Sequence, residues 1–146
     1  MPMRFLVDAA TTGTPLPGDE ITLSAERSHY LCKVMRARRG ERVDCFDGRG
    51  RVLQATLINA SSKKACLRLE TVVEPAPTPI GSVHLGISLL KGQAMDRAIQ
   101  QATELGATAI TPLHAKRSNV QLSPERATHK MSHWQKIIIS ACEQCG

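Results

Sequence analysis

The sequence predicts an α+β protein in which a small β-rich domain is followed by the opening part of a parallel α/β domain. Up to about Glu74, short apolar runs alternate with a two-residue period, as in strands that bury one face. The segment 74–82, EPAPTPIGS, has three prolines at alternate positions and favours a stiff, extended connector. After it, strand-like and helix-like segments alternate. These observations predict a domain boundary in the proline segment.

The first part contains five predicted strands and one predicted helix. The strands cover residues 4–7, 20–23, 42–46, 51–58 and 65–73. The helix covers 26–37, with Ser24 or Ser28 as alternative caps and Gly40 as its end. Asp47-Gly48, between two alternating runs, is a hairpin signal. We expect these elements to form a small β-barrel, or a sheet with the helix covering one end.

The second part reads as β-α-β-α. Its strands are predicted at 83–90 and 108–113, and its helices at 94–105 and 124–145. Gly106 lies where a left-handed residue would end the first helix, and Ser123 before Pro124 favours the start of the second. Two parallel strands with two apolar helices leave sheet edges and faces uncovered. We therefore expect the natural polypeptide to be longer, or this form to associate strongly.

The composition narrows the class of partner. A net charge of +6 and a pI near 9.4 suit a polyanion, although many proteins without such a partner are equally basic. Aromatic residues make up only 3% of the chain, which disfavours single-strand binding by base stacking. Basic residues crowd around the helix end, the hairpin and the next turn: Arg36, Arg38, Arg39, Arg42, Arg49, Arg51, Lys63 and Lys64. This cluster predicts phosphate contacts, and the alternative is a solvated surface balanced by neighbouring acids.

Cysteine and histidine spacing predicts neither a disulfide framework nor a metal site. The five cysteines are an odd number among apolar neighbours, as expected of reduced thiols in a cytosolic protein. Cys142 and Cys145 have redox or zinc-half-site spacing, but a second pair is absent. His129 and His133 lie four apart without the carboxylate of a metalloprotease motif. The sequence shows no secretory signal and nothing near the ~20 apolar residues of a membrane span, so we expect a cytoplasmic location.

The segment 91–118 predicts the position of a site. In a parallel α/β sheet, ligands bind at the loops that follow the carboxyl ends of the strands. Lys116 and Arg117 occupy such a loop. Glu104 lies near the C-terminal end of the preceding helix, where an acid interacts unfavourably with the helix dipole. It is therefore either paired, for instance with an arginine or a backbone amide, or simply solvated.

Short motifs in order along nearly the whole chain carry a family resemblance. In the first part they are 29–36 (HYLCKVMR), 40–41 (GE) and 46–48 (FDG). In the second part they are 91–92 (KG), 95–96 (MD), 102–106 (ATELG), 110–112 (ITP), 116–118 (KRS), 134–137 (WQKI) and 141–146 (ACEQCG). Together they resemble the RsmE-type 16S ribosomal RNA (uracil-N3) methyltransferases.

The resemblance implies a fold for each part. It implies a PUA-like RNA-binding β-barrel at 1–74 and a proline-rich linker at 75–82. At 83–146 it implies the first half, β-α-β-α, of a SPOUT α/β-knot methyltransferase domain. Such enzymes transfer a methyl group from S-adenosylmethionine to N3 of a uridine in 16S rRNA of the small ribosomal subunit. They act as homodimers and need no metal.

The chain departs from the family pattern in two ways. The glycine-rich GPEGG-like loop and the later LR-ET-like segment, which form the knot and hold the cofactor, do not occur in it. The cofactor-binding residues are therefore expected beyond Gly146, and this chain alone is expected to be inactive. Gln101 also stands where many relatives carry lysine. The alternative reading is an RNA-binding or dimerising module without catalysis.

The resemblance also suggests roles for individual residues. Methylation at N3 needs the N3 proton weakened, and a fixed cation near O2 or O4 stabilises the developing uracil anion. Arg117 is the first candidate for that cation and Lys91 the second, while Glu104 orients Arg117 or assists with the proton. The predicted RNA-binding residues are Arg27, His29, Arg36, Arg38, Arg39, Arg49, Arg51, Lys63, Lys64 and Lys116.

Overall fold

The structure is a computed structural model that describes residues 3–7, 14–48, 50–73 and 81–145. The chain divides into two compact units, residues 1–77 and 78–146. Most of the predicted linker, and the stiffness expected of it, lie outside the described residues, as does Arg49.

Unit 1 is built on a five-stranded sheet. Its strands are β1 (Met3–Leu6), β2 (Glu20–Thr22), β3 (Arg42–Phe46), β4 (Val52–Asn59) and β5 (Cys66–Val73). They lie in the order β1-β3-β4-β5-β2. The β1 strand pairs with β3 in parallel, and the other pairs are antiparallel. Because β1 and β2 are the two edges, hydrogen bonding does not close the sheet into a barrel within the described residues.

The core of unit 1 follows from the two-residue alternation of the strands. Inward positions on β3, β4 and β5 are apolar and almost completely buried, while their neighbours face outward. The buried strand residues are Val43, Cys45, Leu53, Ala55, Leu57, Leu67 and Leu69. Phe5 and Leu31 pack into the same cluster. The sheet therefore buries one of its faces, and Leu31 from the helical segment packs into that core.

Helix α1 (Ala25–His29) continues into a π-helical turn at Tyr30–Val34. Ser24 is its cap, since the Arg27 N–H donates to Ser24 Oγ at 3.3 Å. Ser28 has a different role. Its buried hydroxyl accepts from the Ala65 N–H at 2.9 Å and lies 3.3 Å from the Leu23 carbonyl.

The helix ends earlier than predicted, and Gly40 is not its end. Arg36 adopts a left-handed conformation with φ of 60°, although it is not glycine. The Met35 N–H donates to the Tyr30 carbonyl and the Ala37 N–H to the Leu31 carbonyl, at 2.9 and 3.0 Å. These bonds satisfy the last helical carbonyls in the manner of a left-handed cap.

Unit 2 has the predicted β-α-β-α order: β6 (His84–Ser88), α2 (Gln93–Glu104), β7 (Ala109–Leu113) and α3 (Pro124–Cys145). The two strands pair in parallel, with His84 opposite Ala109 and Ser88 opposite Leu113. Helix α3 begins as predicted, because the Arg126 N–H reaches Ser123 Oγ at 3.4 Å. No described helix has the length and apolar character needed to cross a membrane.

The core of unit 2 lies between the helices and one face of the strands. Met95, Ile99 and Trp134 are buried, and Ile87 and Ile110 pack against them from the sheet. On the opposite face, alternate strand residues from His84 to Leu113 are exposed. Leu105 is the last residue of the predicted helix 94–105; it follows α2 and is 87% exposed. The uncovered face expected from the sequence is therefore present.

Candidate functional site

The loops that follow β6 and β7 meet at the carboxyl ends of the two strands. The Leu89 N–H donates to the Leu113 carbonyl at 3.0 Å, which continues the strand pairing by one step. Ser118 Oγ lies 3.4 Å from the Leu89 carbonyl and accepts from the Val120 N–H at 3.2 Å. These bonds connect the first loop, which carries Lys91, to the second, which carries Arg117.

Arg117 and Lys116 occupy a tight turn in the second loop. The Ser118 N–H closes the turn by donating to the Ala115 carbonyl at 2.9 Å. Both basic side chains are exposed. Within residues 81–145, neither side chain makes a hydrogen bond or an ion pair, so both charges are available to a ligand.

Glu104 lies at the opposite end of the strands, before β7 begins. It ends α2 and precedes β7, whereas Arg117 follows β7. The five-residue strand β7, about 13 Å long, lies between the two positions in the chain. A Glu104 carboxylate oxygen instead accepts from Gln100 Nε2 at 2.8 Å. The expected pairing of Glu104 with Arg117 is therefore not made within this chain, because the helix runs antiparallel to the strands.

A groove adjoins Lys91 at the carboxyl ends of the strands and has a volume of about 630 Å³. It is lined by Lys91, Asn119, Val120, Gln121, Leu122, Arg126, His129, Lys130 and His133. Three of these side chains, Lys91, Arg126 and Lys130, are basic, and no carboxylate is among the described residues that line the groove. We call this feature the basic groove.

Asp96 supports the wall of the basic groove. Its carboxylate accepts from His133 Nε2 at 2.9 Å and from Trp134 Nε1 at 3.1 Å. The hydrogen bond from His133 is the largest cause that holds the pKa of Asp96 below its ordinary value. The arrangement fixes the imidazole of His133 and ties α3 to α2.

In unit 1, the predicted arginine cluster is divided between the two ends of the sheet. One group surrounds the start of β3 and the turn between β4 and β5. Two contacts hold these segments together: the Gly40 N–H donates to the Leu57 carbonyl at 2.8 Å, and Cys32 Sγ lies 3.8 Å from the Ser61 carbonyl. The exposed cations of this group, here called the basic end, are Arg36, Arg38, Arg39, Arg42, Lys63 and Lys64.

Arg51 lies at the opposite end of the sheet, in the hairpin between β3 and β4. Its Nη2 donates to the Pro15 carbonyl at 3.1 Å, and its N–H donates to Asp47 Oδ1 at 3.2 Å. The prediction of one continuous cluster from 36 to 51 is therefore wrong, because a complete strand separates its two ends.

Arg27 is engaged within unit 1. Its guanidinium lies 3.9 Å from the centre of the Phe5 ring, and its Nη2 donates to the Leu6 carbonyl at 3.0 Å. This packing supports the β1 edge and differs from the free surface position expected for an RNA contact. His29, at the end of α1, is exposed.

The cysteines carry free thiols, all five of them within the described residues. Burial raises the pKa of the Cys45 thiol to about 12, and the neighbouring charge of Asp44 adds to the rise. Burial also raises the pKa of Cys32. Among the residues described, no three His, Cys, Asp or Glu side chains lie together as metal ligands would.

The sequence reading missed the basic groove on α3. Arg126, His129, Lys130 and His133 are separated by three or four positions, which places them on one side of a helix. The signal was therefore in the sequence, as a basic stripe beside the apolar one. Its convergence with Lys91 depends on the packing of α3 beside the loop after β6.

Two family models match the chain. One, described as an RNA methyltransferase PUA domain, matches residues 23–70, and the other, described as an RNA methyltransferase domain, matches residues 76–146. Among curated proteins, the chain is 39% identical to ribosomal RNA small subunit methyltransferase E of Synechocystis sp. and 35% identical to the Bacillus subtilis protein of the same name. These matches cover 85% and 84% of this chain, and 39% and 48% of the relatives.

Two solved structures resemble the chain along its whole length. A putative methyltransferase from Legionella pneumophila, in complex with the bound cofactor SAM, has a TM-score of 0.92 at 32% identity. Ribosomal RNA small subunit methyltransferase E from Neisseria gonorrhoeae, bound to S-adenosyl methionine, has a TM-score of 0.90 at 30% identity. Both matches cover 100% of this chain, and they cover 59% and 58% of the two solved chains. The chain spans about half the length of the curated relatives it matches.

Proposed function

Since the chain belongs to the ribosomal RNA small subunit methyltransferase E family, we propose that it forms the RNA-contacting part of an S-adenosylmethionine-dependent enzyme. That enzyme methylates N3 of a uridine in 16S rRNA of the small ribosomal subunit. Residues 1–74 serve as a PUA-like RNA-binding domain, 75–82 as a linker, and 83–146 as the first half of a SPOUT α/β-knot domain. The enzyme is a cytoplasmic homodimer that requires neither a metal nor a membrane.

One observation carries this proposal: two cations lie at the carboxyl ends of two parallel strands, and neither makes an ion pair within residues 81–145. Lys91 follows β6 and Arg117 follows β7, and Ser118 connects the two loops. The carboxyl ends of the strands are where parallel α/β folds bind ligands. An exposed guanidinium there can approach a base that has been turned out of its helix.

The chemistry of uracil explains why a cation is needed. N3 carries a proton between two carbonyls, and loss of that proton places negative charge on O2 and O4. A guanidinium fixed near either oxygen stabilises this charge as it develops. Arg117 has this role in our proposal, and Lys91 supplies a second positive charge. Glu104 lies at the opposite end of the strands, so any action on the proton requires Glu104 of a second protomer.

Unit 1 supplies affinity for the RNA. The six cations of the basic end lie on loops and strand ends around one end of the sheet, where a phosphate backbone can contact several of them. His29 and Lys116 add to the predicted contacts. Arg51 and Arg27 contribute mainly to the stability of the domain, since their guanidinium groups bind backbone carbonyls.

The described residues do not provide a pocket suited to S-adenosylmethionine. The cofactor carries a sulfonium, an ammonium and a carboxylate group, so its net charge is positive, whereas the basic groove presents three basic side chains and two histidines. Like charges disfavour its binding there. We therefore place the cofactor-binding residues outside this chain, and we propose that these 146 residues alone act as an RNA-binding or dimerising module without methylation.

The proposal is tested in a full-length family member that carries this segment. Arg117→Ala is expected to lower single-turnover formation of N3-methyluridine in 16S rRNA by about 10²- to 10³-fold, the usual effect of losing one stabilising donor. Arg117→Lys, which keeps the charge, is the matched control and should retain part of the rate. Near-normal methylation by Arg117→Ala would exclude the assigned role. Methylation by the 146-residue chain alone would refute its assignment as a non-catalytic module.

A further inference from the structure

We propose that the basic groove of unit 2 is a second RNA site, which binds the phosphodiester backbone beside the target uridine. The inference rests on the proposed function, because it assigns the same RNA to a surface that the family comparison does not identify. It adds Arg126 and Lys130, which are not among the RNA-binding residues predicted from the sequence, as backbone contacts that position the RNA near the reacting base.

The charge of the groove favours a polyanion. Lys91, Arg126 and Lys130 line it from two elements, and none of the three side chains makes an ion pair among the described residues. The charge of Lys130 acts at longer range on the Asp96 carboxylate and helps to lower its pKa. The nearby carboxylate, Asp96, already accepts hydrogen bonds from His133 and Trp134. Three cations therefore face one neighbouring carboxylate, and the groove keeps an excess of positive charge, as expected of a surface that neutralises phosphates.

The position of the groove links it to the carboxyl ends of the strands. Lys91 belongs both to the loop after β6 and to the groove, and Asn119 in the groove wall lies two residues after Arg117. Ser118 holds the two loops together through the Leu89 carbonyl. A backbone lying in the groove therefore passes beside the guanidinium that faces the target base.

The polar groups of the groove suit a nucleic-acid backbone. Asn119 and Gln121 offer amide donors, and His133 is held in one orientation by Asp96. A volume of about 630 Å³ accommodates several linked phosphate and sugar groups, and its open form admits a chain that enters and leaves. A small cationic ligand such as S-adenosylmethionine lacks the charge complementarity that an RNA backbone has.

The test measures the salt dependence of RNA binding by the complete 146-residue chain. The probe is a fluorescein-labelled RNA hairpin with uridines in its loop. The Arg126→Ala, Lys130→Ala double variant is expected to lower the slope of log K against log salt by about 1.5, since each lost phosphate contact removes roughly 0.7 to 0.9. The matched control is Arg97→Ala, an exposed cation of α2 outside the groove, which should leave the slope unchanged.

The single tryptophan reports on the groove directly. Trp134 shares Asp96 with His133, so binding at His133 should change its emission. We expect RNA to change Trp134 fluorescence in the wild type and in variants of the basic end, at higher RNA concentration in the latter. The change should be lost in the groove variant. The circular dichroism spectra of the variants must match the wild type.

The failures of the two proposals can be separated. If basic-end variants weaken RNA binding and the groove variant has an unchanged slope, the groove inference is overturned while the proposed function stands. If the wild-type chain shows no salt-dependent binding of RNA, both are overturned. If S-adenosylmethionine alone changes Trp134 fluorescence and the groove variant abolishes this effect, the groove is a cofactor subsite and the RNA assignment is wrong.

Discussion

The two units differ in how completely they bury their apolar residues. Among the described residues of unit 1, fourteen buried hydrophobic side chains form one cluster that the sheet and α1 enclose. In unit 2, the buried cluster contains three, and one face of β6 and β7 is exposed. The first unit is a self-contained scaffold that presents cations on its surface. The second presents cations at the ends of its strands, while one face of its two-stranded sheet remains exposed.

The largest expected effect comes from the core of unit 1. Leu57→Ala removes a fully buried side chain from the centre of β4 and should lower the free energy of unfolding by about 2–5 kcal/mol. Val72→Ala, at a position 50% exposed on the neighbouring β5, is the control and should change it by less than about 1 kcal/mol. Urea unfolding of both variants checks this. Equal effects would show that the core is not the one described.

A smaller loss of stability is expected when the Ser28 hydroxyl is removed, which bonds α1 to the residue before β5. Ser28→Ala leaves the buried Ala65 N–H without an acceptor and should cost about 1–3 kcal/mol. Ser24→Gly, at the exposed cap of the same helix, should cost only a few tenths of a kcal/mol. Thermal unfolding compares the two variants. A larger loss at Ser24 would contradict the assignment of Ser28 as the connection between helix and sheet.

In unit 2, Asp96→Asn is expected to destabilise the contact between α2 and α3 by about 1 kcal/mol. Because the folded state holds the pKa of Asp96 below the ordinary 3.8, its contribution is fully present above that pH. The contribution is lost as the pH falls through the lowered folded value. The stability difference between wild type and variant should therefore shrink below about pH 4. Glu104→Gln, at the exposed end of α2, is the control and should change the free energy of unfolding by less than about 0.5 kcal/mol.

The last prediction compares the alkylation rates of two cysteine thiols in the wild-type chain. With its pKa raised to about 12 and its side chain buried, Cys45 should resist alkylation until unit 1 unfolds. The exposed Cys145 of unit 2 should react first. Mass mapping of iodoacetamide adducts over time gives the order. Modification of Cys45 in the folded chain at the rate of Cys145 would contradict the burial of the unit 1 core.

The sequence predicted the elements well because their signals are local. Strand β3 and helix α3 have the predicted bounds, because the alternation of apolar residues marks the strand and the capping residues mark the start of the helix. The end of α1 was misplaced because Arg36 adopts a conformation that glycine usually fills, so Gly40 gave the stronger signal. The parallel pairing of β1 with β3 depends on long-range packing and has no local signature.

The site was less predictable than the fold, since it depends on which loops converge. The sequence placed Lys91 and Arg117 on loops after strands, and the structure connects those loops. The predicted strand 108–113 already separates Glu104 from Arg117, and the predicted strand 42–46 already divides the arginine cluster, so both separations follow from the order of the elements. Arg27 appeared free in sequence, yet its guanidinium packs on Phe5.

The RNA affinity of the 146-residue chain most directly tests the claim that the basic end of unit 1 binds the RNA. The measurement is the slope of log K against log salt for the Arg36→Ala, Arg38→Ala, Arg39→Ala triple variant. Loss of three phosphate contacts should lower the slope by about 2 to 3 units. Arg68→Ala, a cation on the same sheet that is paired with Glu20, should leave it unchanged. An equal slope for the wild type and the triple variant would contradict the account.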